Sequence, residues 1–142
     1  TGDHAGMTLR NEAKKVLEEL GYEYEDVGAD CTTSVDYPDY AFPAAERVAS
    51  GEFDRGIFIC GTGIGISISA NKVEGIRCAL VHDVFSAIAT RQHNDSNCLA
   101  MGERVIGPGL AREIIKAWLT TEFEGDRHQR RIQKISDYEC NR

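Results

Sequence analysis

Ile57-Phe58-Ile59-Cys60-Gly61-Thr62-Gly63-Ile64-Gly65-Ile66-Ser67-Ile68-Ser69-Ala70-Asn71 carries a thiol, a hydroxyl and three alternate glycines at the end of an apolar run. The run Gly56–Cys60 reads as a strand covered on both faces. Gly61, Gly63 and Gly65 let the chain turn tightly behind it with backbone N–H groups exposed, leading into a helix beginning near Ile66. Amides and a helix start at that place suit an anion, or an oxyanion that develops during a reaction. A dinucleotide site is disfavoured because no acidic residue closes a following strand at the ribose-binding spacing. A P-loop is excluded because its Lys-Ser/Thr pair is missing. Cys60 then stands at the lip of an oxyanion cradle, although a common glycine turn after a strand with a simply buried cysteine is the plainer alternative.

Working outward, Leu9, Ala13, Val16, Leu17 and Leu20 recur at helical spacing and Gly21 follows, so roughly Met7–Leu20 is an amphipathic helix. Tyr22–Val27 alternates like a strand. Asp36–Tyr40 reads as a loop leading into a helix through Ala44, Val48 and Ala49. Beyond the glycine loop a helix runs to about Lys72, Arg77–His82 reads as a strand, Val84–Gln92 as a helix and Asn97–Met101 as a short strand. Leu110–Leu119 and roughly residues 127–138 are the last helices. This alternation predicts an α/β chain: a three-layer α/β/α, Rossmann-like fold with a mostly parallel five-stranded sheet and right-handed crossovers. Thr1-Gly2-Asp3-His4-Ala5-Gly6 has the form of a loop that opens a helix after a strand, so a first strand is expected ahead of Thr1 and absent from this sequence.

The 142 residues, with three prolines and no low-complexity tract, form one domain, residues 1–142. A net charge of −7 argues against nucleic acid or an anionic membrane as partner. The lack of a long apolar stretch or of a signal-peptide pattern predicts a soluble cytoplasmic protein. Cys31, Cys60, Cys78, Cys98 and Cys140 are odd in number and show no C-x-x-C pairing, so reduced thiols are expected rather than a disulfide framework or a zinc site. His82, Asp83 and His128 show no metal-ligand spacing either, and neither metal nor cofactor is expected. Arg127, His128, Arg130, Arg131 and Lys134 make a basic cluster on this acidic chain. Arg127 and Arg131, four apart on one helical face, match a phosphate, although a solvated face is the plainer alternative. Arg104 is a weaker candidate of the same kind.

At the carboxyl edge of the sheet three segments are expected to converge: Asp3-His4, Cys60–Gly65 and His93-Asn94-Asp95. Cys60 with His93 would be a nucleophile and base, or two acid–base groups acting on different protons. A histidine capping the end of a helix is the alternative for His93. Tyr37 and Tyr40 would stack on a ligand or simply cover the core.

Six ordered motifs then carry a resemblance that runs essentially end to end: Gly2-Asp3-His4-Ala5-Gly6, residues 34–41 (Ser-Val-Asp-Tyr-Pro-Asp-Tyr-Ala), residues 60–67 (Cys-Gly-Thr-Gly-Ile-Gly-Ile-Ser) with Ala70-Asn71-Lys72-Val73, residues 91–97 (Arg-Gln-His-Asn-Asp-Ser-Asn), residues 102–107 (Gly-Glu-Arg-Val-Ile-Gly) and residues 127–132 (Arg-His-Gln-Arg-Arg-Ile). Together they resemble ribose-5-phosphate isomerase type B. The resemblance implies metal-free aldose–ketose isomerisation of ribose 5-phosphate to ribulose 5-phosphate, a step of the non-oxidative pentose phosphate pathway. By the family pattern Cys60 moves the proton between C1 and C2, and Thr62 with the amides of Gly61, Gly63 and Gly65 stabilises the enediolate. His93, assisted by Asp3, opens the furanose ring, Asn94 and Tyr37 hold hydroxyls, and His4, Arg104, Arg127 and Arg131 take the phosphate. The resemblance also implies a homodimer, or a tetramer of paired dimers, with His93 and the C-terminal arginines serving the Cys60 of a neighbouring subunit. Relatives that lack the cysteine place a glutamate later in the loop; here that position is Ile66. A six-carbon sugar-phosphate isomerase, a Cys-His thiol hydrolase and a non-catalytic sugar-phosphate binder are the competing readings.

Overall fold

The computed structural model describes residues 1–141. Six α-helices and three strands alternate: α1 (Met7–Glu19), α2 (Tyr37–Ala49), β1 (Gly56–Cys60), α3 (Ile64–Ala70), β2 (Cys78–Leu80), α4 (Val84–Asn94), β3 (Cys98–Gly102), α5 (Pro108–Thr120) and α6 (Arg127–Cys140). The sheet order is β1-β3-β2, all parallel, with Gly56 opposite Cys98 and Cys60 opposite Gly102. β3 is the middle strand and buried throughout, which is why its sequence is apolar without alternation.

The period of two along the strands divides the core into two layers. Ile59, Leu99 and Met101 face α1, α4 and α5, meeting Leu9, Val16, Ala87, Ile114, Ile115 and Trp118. Phe58, Cys60, Cys98 and Ala100 face α2 and α3, meeting Ala41, Ala45, Ile66 and Ala70. The expected α/β/α layering and parallel sheet are both present.

Beyond β1 the sheet continues as isolated pairings. Gly2 bridges Ile59 in parallel, Ile59 N donates to Thr1 O at 3.0 Å, and Ala29 N donates to Gly2 O at 2.8 Å. Tyr22–Val27 is not a strand, contrary to its alternation. A strand needs a partner's ladder of N–H and C=O groups, and a cavity of about 710 Å³ separates this segment from Gly56–Ile59. Its residues from Tyr22 to Glu25 are exposed on both sides.

Two element boundaries also differ from expectation. Tyr37–Tyr40, read as loop, is already helical: Pro38 occupies the first turn of α2, where its missing N–H costs nothing. α3 starts at Ile64 rather than Ile66 because Gly63, at φ 76°, is its left-handed N-cap. α1 ends as its sequence predicts, with Gly21 at φ 77° and Tyr22 N bonded to Leu17 O.

Candidate active site

Cys60 ends β1 and is buried. Its carbonyl accepts from Glu103 N and the Gly61 carbonyl from Arg104 N, both at 2.9 Å, so residues 60–61 stay clamped to residues 103–104 past the strand ends. Gly63 N donates to Cys60 Sγ at 3.1 Å and Ile64 N to Thr62 Oγ1 at 3.2 Å. On the far side of the clamp, Gly102 N donates to His82 Nε2 at 3.0 Å, and burial pulls the His82 imidazole below its ordinary pKa, which suits it to accept.

The glycines are required by what lies against them. A Cβ on Gly65 would come within 2.5 Å of the Tyr37 ring, and one on Gly63 within 2.7 Å of the Met101 carbonyl carbon. Arg104 lies against Gly61 in the same way, with Nη1 3.2 Å from a Cβ there. The bare backbone of the loop therefore lets Tyr37 and Arg104 close on it, and Thr62 stands exposed between them.

Asp3 and His4 join this edge. Since Gly2 pairs with Ile59, Asp3 falls level with Cys60 and on its face of the sheet. Asp3 is 6% exposed and its Oδ1 accepts from Ala5 N at 2.9 Å, capping the 3₁₀ turn His4–Gly6. His4 Nδ1 accepts from Val35 N at 3.2 Å, leaving Nε2 to donate.

His93 and Asn94 are elsewhere, and the expected convergence of three segments within one chain is overturned. α4 begins after β2 at the carboxyl edge and its eleven residues descend roughly 16 Å, about the height of the sheet. His93 and Asn94 are therefore exposed at the amino edge, beside the start of β3. Of the three segments, Asp3-His4 and Cys60–Gly65 meet, and His93–Asp95 stands apart.

What His93 does meet is α6. Its ring stacks on that of His128, with centroids 4.4 Å apart and planes 15° from parallel. Of α6 only His128 and Ile132 are buried, so Arg127 and Arg131 project into solvent near His93. The candidate residues thus fall into two groups: a glycine loop with a thiol, a carboxylate and an imidazole at one edge, and an imidazole with two guanidinium groups at the other.

Sequence reasoning missed His82 and Glu124 as structural parts of these edges. Glu124 N donates to Gln92 O at 3.1 Å and so ties the approach to α6 onto the end of α4. The wide separation of residues 92 and 124 left no local signal for it. The cavity beside Gly56–Ile59 touches neither group.

Comparison with known proteins agrees with this geometry. Residues 1–135 match the Ribose/Galactose Isomerase family. A protein of Bacillus subtilis provisionally named a sugar phosphate isomerase is 74% identical over 96% of this chain and 93% of its own length. The ribose-5-phosphate isomerase B of Escherichia coli is 49% identical over 99% of this chain and 94% of its own. The solved structure of Clostridium thermocellum ribose-5-phosphate isomerase B superposes with a TM-score of 0.95 at 50% identity, covering 99% of this chain and 95% of that one. The chain belongs to the Ribose/Galactose Isomerase family and is an isomerase.

Proposed function

We propose that this isomerase interconverts D-ribose 5-phosphate and D-ribulose 5-phosphate through an enediolate, in sites shared between the two protomers of a homodimer. The observation that carries the reading is the division of the site: the thiol and its oxyanion loop stand at one edge of the sheet, the imidazole and the phosphate-matching arginines at the other. A second copy supplies each edge with what it lacks, α6 and His93 of one protomer reaching the Cys60 loop of its neighbour.

Several exposed apolar side chains support such a contact. Ile64 and Ile68 are about half exposed on α3, Leu80 ends β2, and Phe85 in the first turn of α4 is 80% exposed. α3 follows the Cys60 loop directly and Leu80 lies against Gly63 of that loop, and exposed apolar groups are what an interface buries. The resulting dimer has two-fold symmetry, each protomer giving and receiving the same parts.

In the reaction, His93 with Asp3 assists ring opening: the hydroxyl proton of the anomeric carbon leaves as the ring oxygen is protonated. Cys60, as thiolate, takes the proton from C2 of the open aldose and returns it to C1, while a proton passes between the two oxygens. Negative charge gathers on the enediolate oxygens, where the Thr62 hydroxyl and the loop amides of Gly61, Gly63 and Gly65 donate. Tyr37 and Asn94 hold sugar hydroxyls, and His4, Arg104, Arg127 and Arg131 take the phosphate. No metal or organic cofactor enters this scheme. A phosphorylated sugar and five free cysteines suit a cytoplasmic setting; no helix among the described residues is long and apolar enough to cross a membrane.

The test is formation of ketose from ribose 5-phosphate with a chelator throughout, and with allose 6-phosphate in parallel. Turnover of the pentose in preference to the hexose supports the proposal. Preference for the hexose moves the substrate up one carbon, and failure on both sinks the substrate reading.

A further inference from the structure

His93, Glu124 and His128 bring three potential metal-ligand atoms within 4.8 Å of one another. His128 is only 4% exposed, yet its Nε2 has no hydrogen-bond partner. Glu124 Oε2 lies 3.5 Å from it. A buried ring nitrogen left unpartnered costs free energy, and its retention calls for an occupant.

We propose that His93, Glu124 and His128 form a binding site for a divalent cation of the zinc class, and that its occupancy withdraws His93 from isomerisation. This rests on the function proposed above only in its second half. Two imidazoles and one carboxylate are a common zinc ligand set, with a water completing the tetrahedron. Ligand atoms about 2.0 Å from a tetrahedral ion stand roughly 3.4 Å apart, so the present spacing must contract by little more than 1 Å. Glu124 and His93 are both exposed and free to make that movement, whereas buried His128 is the fixed point. The stack must open, because parallel rings cannot aim both lone pairs at one ion. The backbone bond from Glu124 N to Gln92 O already holds the carboxylate's segment against the helix that carries His93.

The facing charges narrow the choice of ion. Glu124 brings a single carboxylate to the cluster, 3.5 Å from His128 Nε2, while Arg127 and Arg131 on the same helix as His128 add positive charge that opposes a cation. Calcium and magnesium, which need several oxygen ligands, are excluded by that set, while nitrogen-preferring ions remain. An ion held here ties up the His93 ring nitrogen that ring opening would use.

The probes are Co²⁺, whose tetrahedral complexes absorb visible light, and Zn²⁺ as its competitor. Metal-stripped parent protein should develop one Co²⁺ band per chain, bleached by Zn²⁺. Glu124→Gln, at an exposed position outside the proposed chemistry, should keep the uninhibited turnover rate and bind Co²⁺ at least about tenfold more weakly. His128→Gln, checked for folding by circular dichroism, should lose the band. Zn²⁺ should inhibit parent turnover of ribose 5-phosphate reversibly by chelator, and Glu124→Gln should need about tenfold more. Absence of the band, or a band of parent strength in Glu124→Gln, overturns the site. Equal inhibition of parent and Glu124→Gln would assign Zn²⁺ to another ligand, such as the Cys60 thiol, and overturns the inhibitory half. A normal band from a protein that turns over no sugar phosphate supports the site and counts against the function alone.

Discussion

The two edges of the sheet are built by opposite means. At the carboxyl edge, loops 60–63 and 102–104 touch backbone to backbone, and glycines at positions 63, 65 and 102 stand where a Cβ would collide. At the amino edge, His93, Arg127 and Arg131 are exposed side chains on helix ends, and α6 buries two residues of its fourteen. The first edge is rigid because nothing can be added to it. The second is adjustable because little holds it. In the proposed reaction an oxyanion cradle needs fixed donors, whereas groups that would meet a partner and a phosphate tolerate movement, and the contrast between the edges fits that demand.

The sharpest break of this comparison is Cys60→Ala. It should lower kcat by at least about a thousandfold, since a lone proton-transfer base contributes of that order, while leaving substrate affinity within a few-fold. Near-parent turnover would remove Cys60 as base. Mixing it with His93→Asn tests whether the edges work across protomers. With random assembly half of the dimers are mixed, and each has one intact site of two, so about one quarter of parent activity should return. No recovery would confine each site to a single chain.

Gly63→Ala probes rigidity alone. The φ of 76° disfavours any side chain, and the new Cβ would press on Met101 backbone, which cannot swing aside. A loss of about 3 kcal/mol in urea unfolding is expected, combining left-handed strain with overpacking. A change below about 1 kcal/mol would show the loop to be softer than its contacts imply.

A milder strain on the same edge comes from Asp26→Asn. Arg10 Nη2 meets Asp26 Oδ2 at 3.0 Å while its Nη1 donates to Ala29 O at 2.7 Å, and Ala29 N in turn donates to Gly2 O. Arg10 thus braces the pairing that carries Asp3 and His4. Burial alone would raise the Asp26 carboxyl, but hydrogen bonds from Arg10, Gly28 N and Lys14 outweigh it and hold it well below the usual carboxylate range. A carboxyl depressed on folding contributes stability that is present above its unfolded pKa, near 4, and lost as pH falls below that. Asp26→Asn should cost about 2 kcal/mol at neutral pH and little in strong acid. An equal cost at both pH values would deny the charge its role.

These contrasts explain what the sequence made legible. The helices, β1, β3 and the parallel layering follow from apolar periodicity and glycine punctuation, which are local. The strand and turn that carry Cys60, Thr62 and the glycines were readable because they lie within fifteen residues of one another. Tyr22–Val27 misled because alternation reports two faces but not the neighbour a strand requires. His93 was placed at the wrong edge because eleven helical residues carry the chain across the whole sheet, a displacement invisible to motif reading. The meeting of His93, Glu124 and His128 depends on how α6 docks against α4, and no spacing in the sequence encodes it.

The smallest expected effect lies on the loosely held edge. Arg131 is exposed on α6, one turn beyond Arg127, and substrate phosphate is the group whose charge it would meet. Arg131→Ala should leave the unfolding midpoint unchanged, because an exposed cation on a helix that buries so little contributes almost nothing to folding. It should raise KM for ribose 5-phosphate about tenfold, the cost of one charge-assisted contact while Arg127 remains, with kcat within about twofold. Arg131→Lys keeps the charge and loses the fork, so it should recover part of the affinity. Equal falls in kcat and kcat/KM would instead mean that the contact tightens only in the transition state. The amino edge would then take part in the chemistry as well as in holding the phosphate, and the contrast between a fixed catalytic edge and an adjustable binding edge would fail.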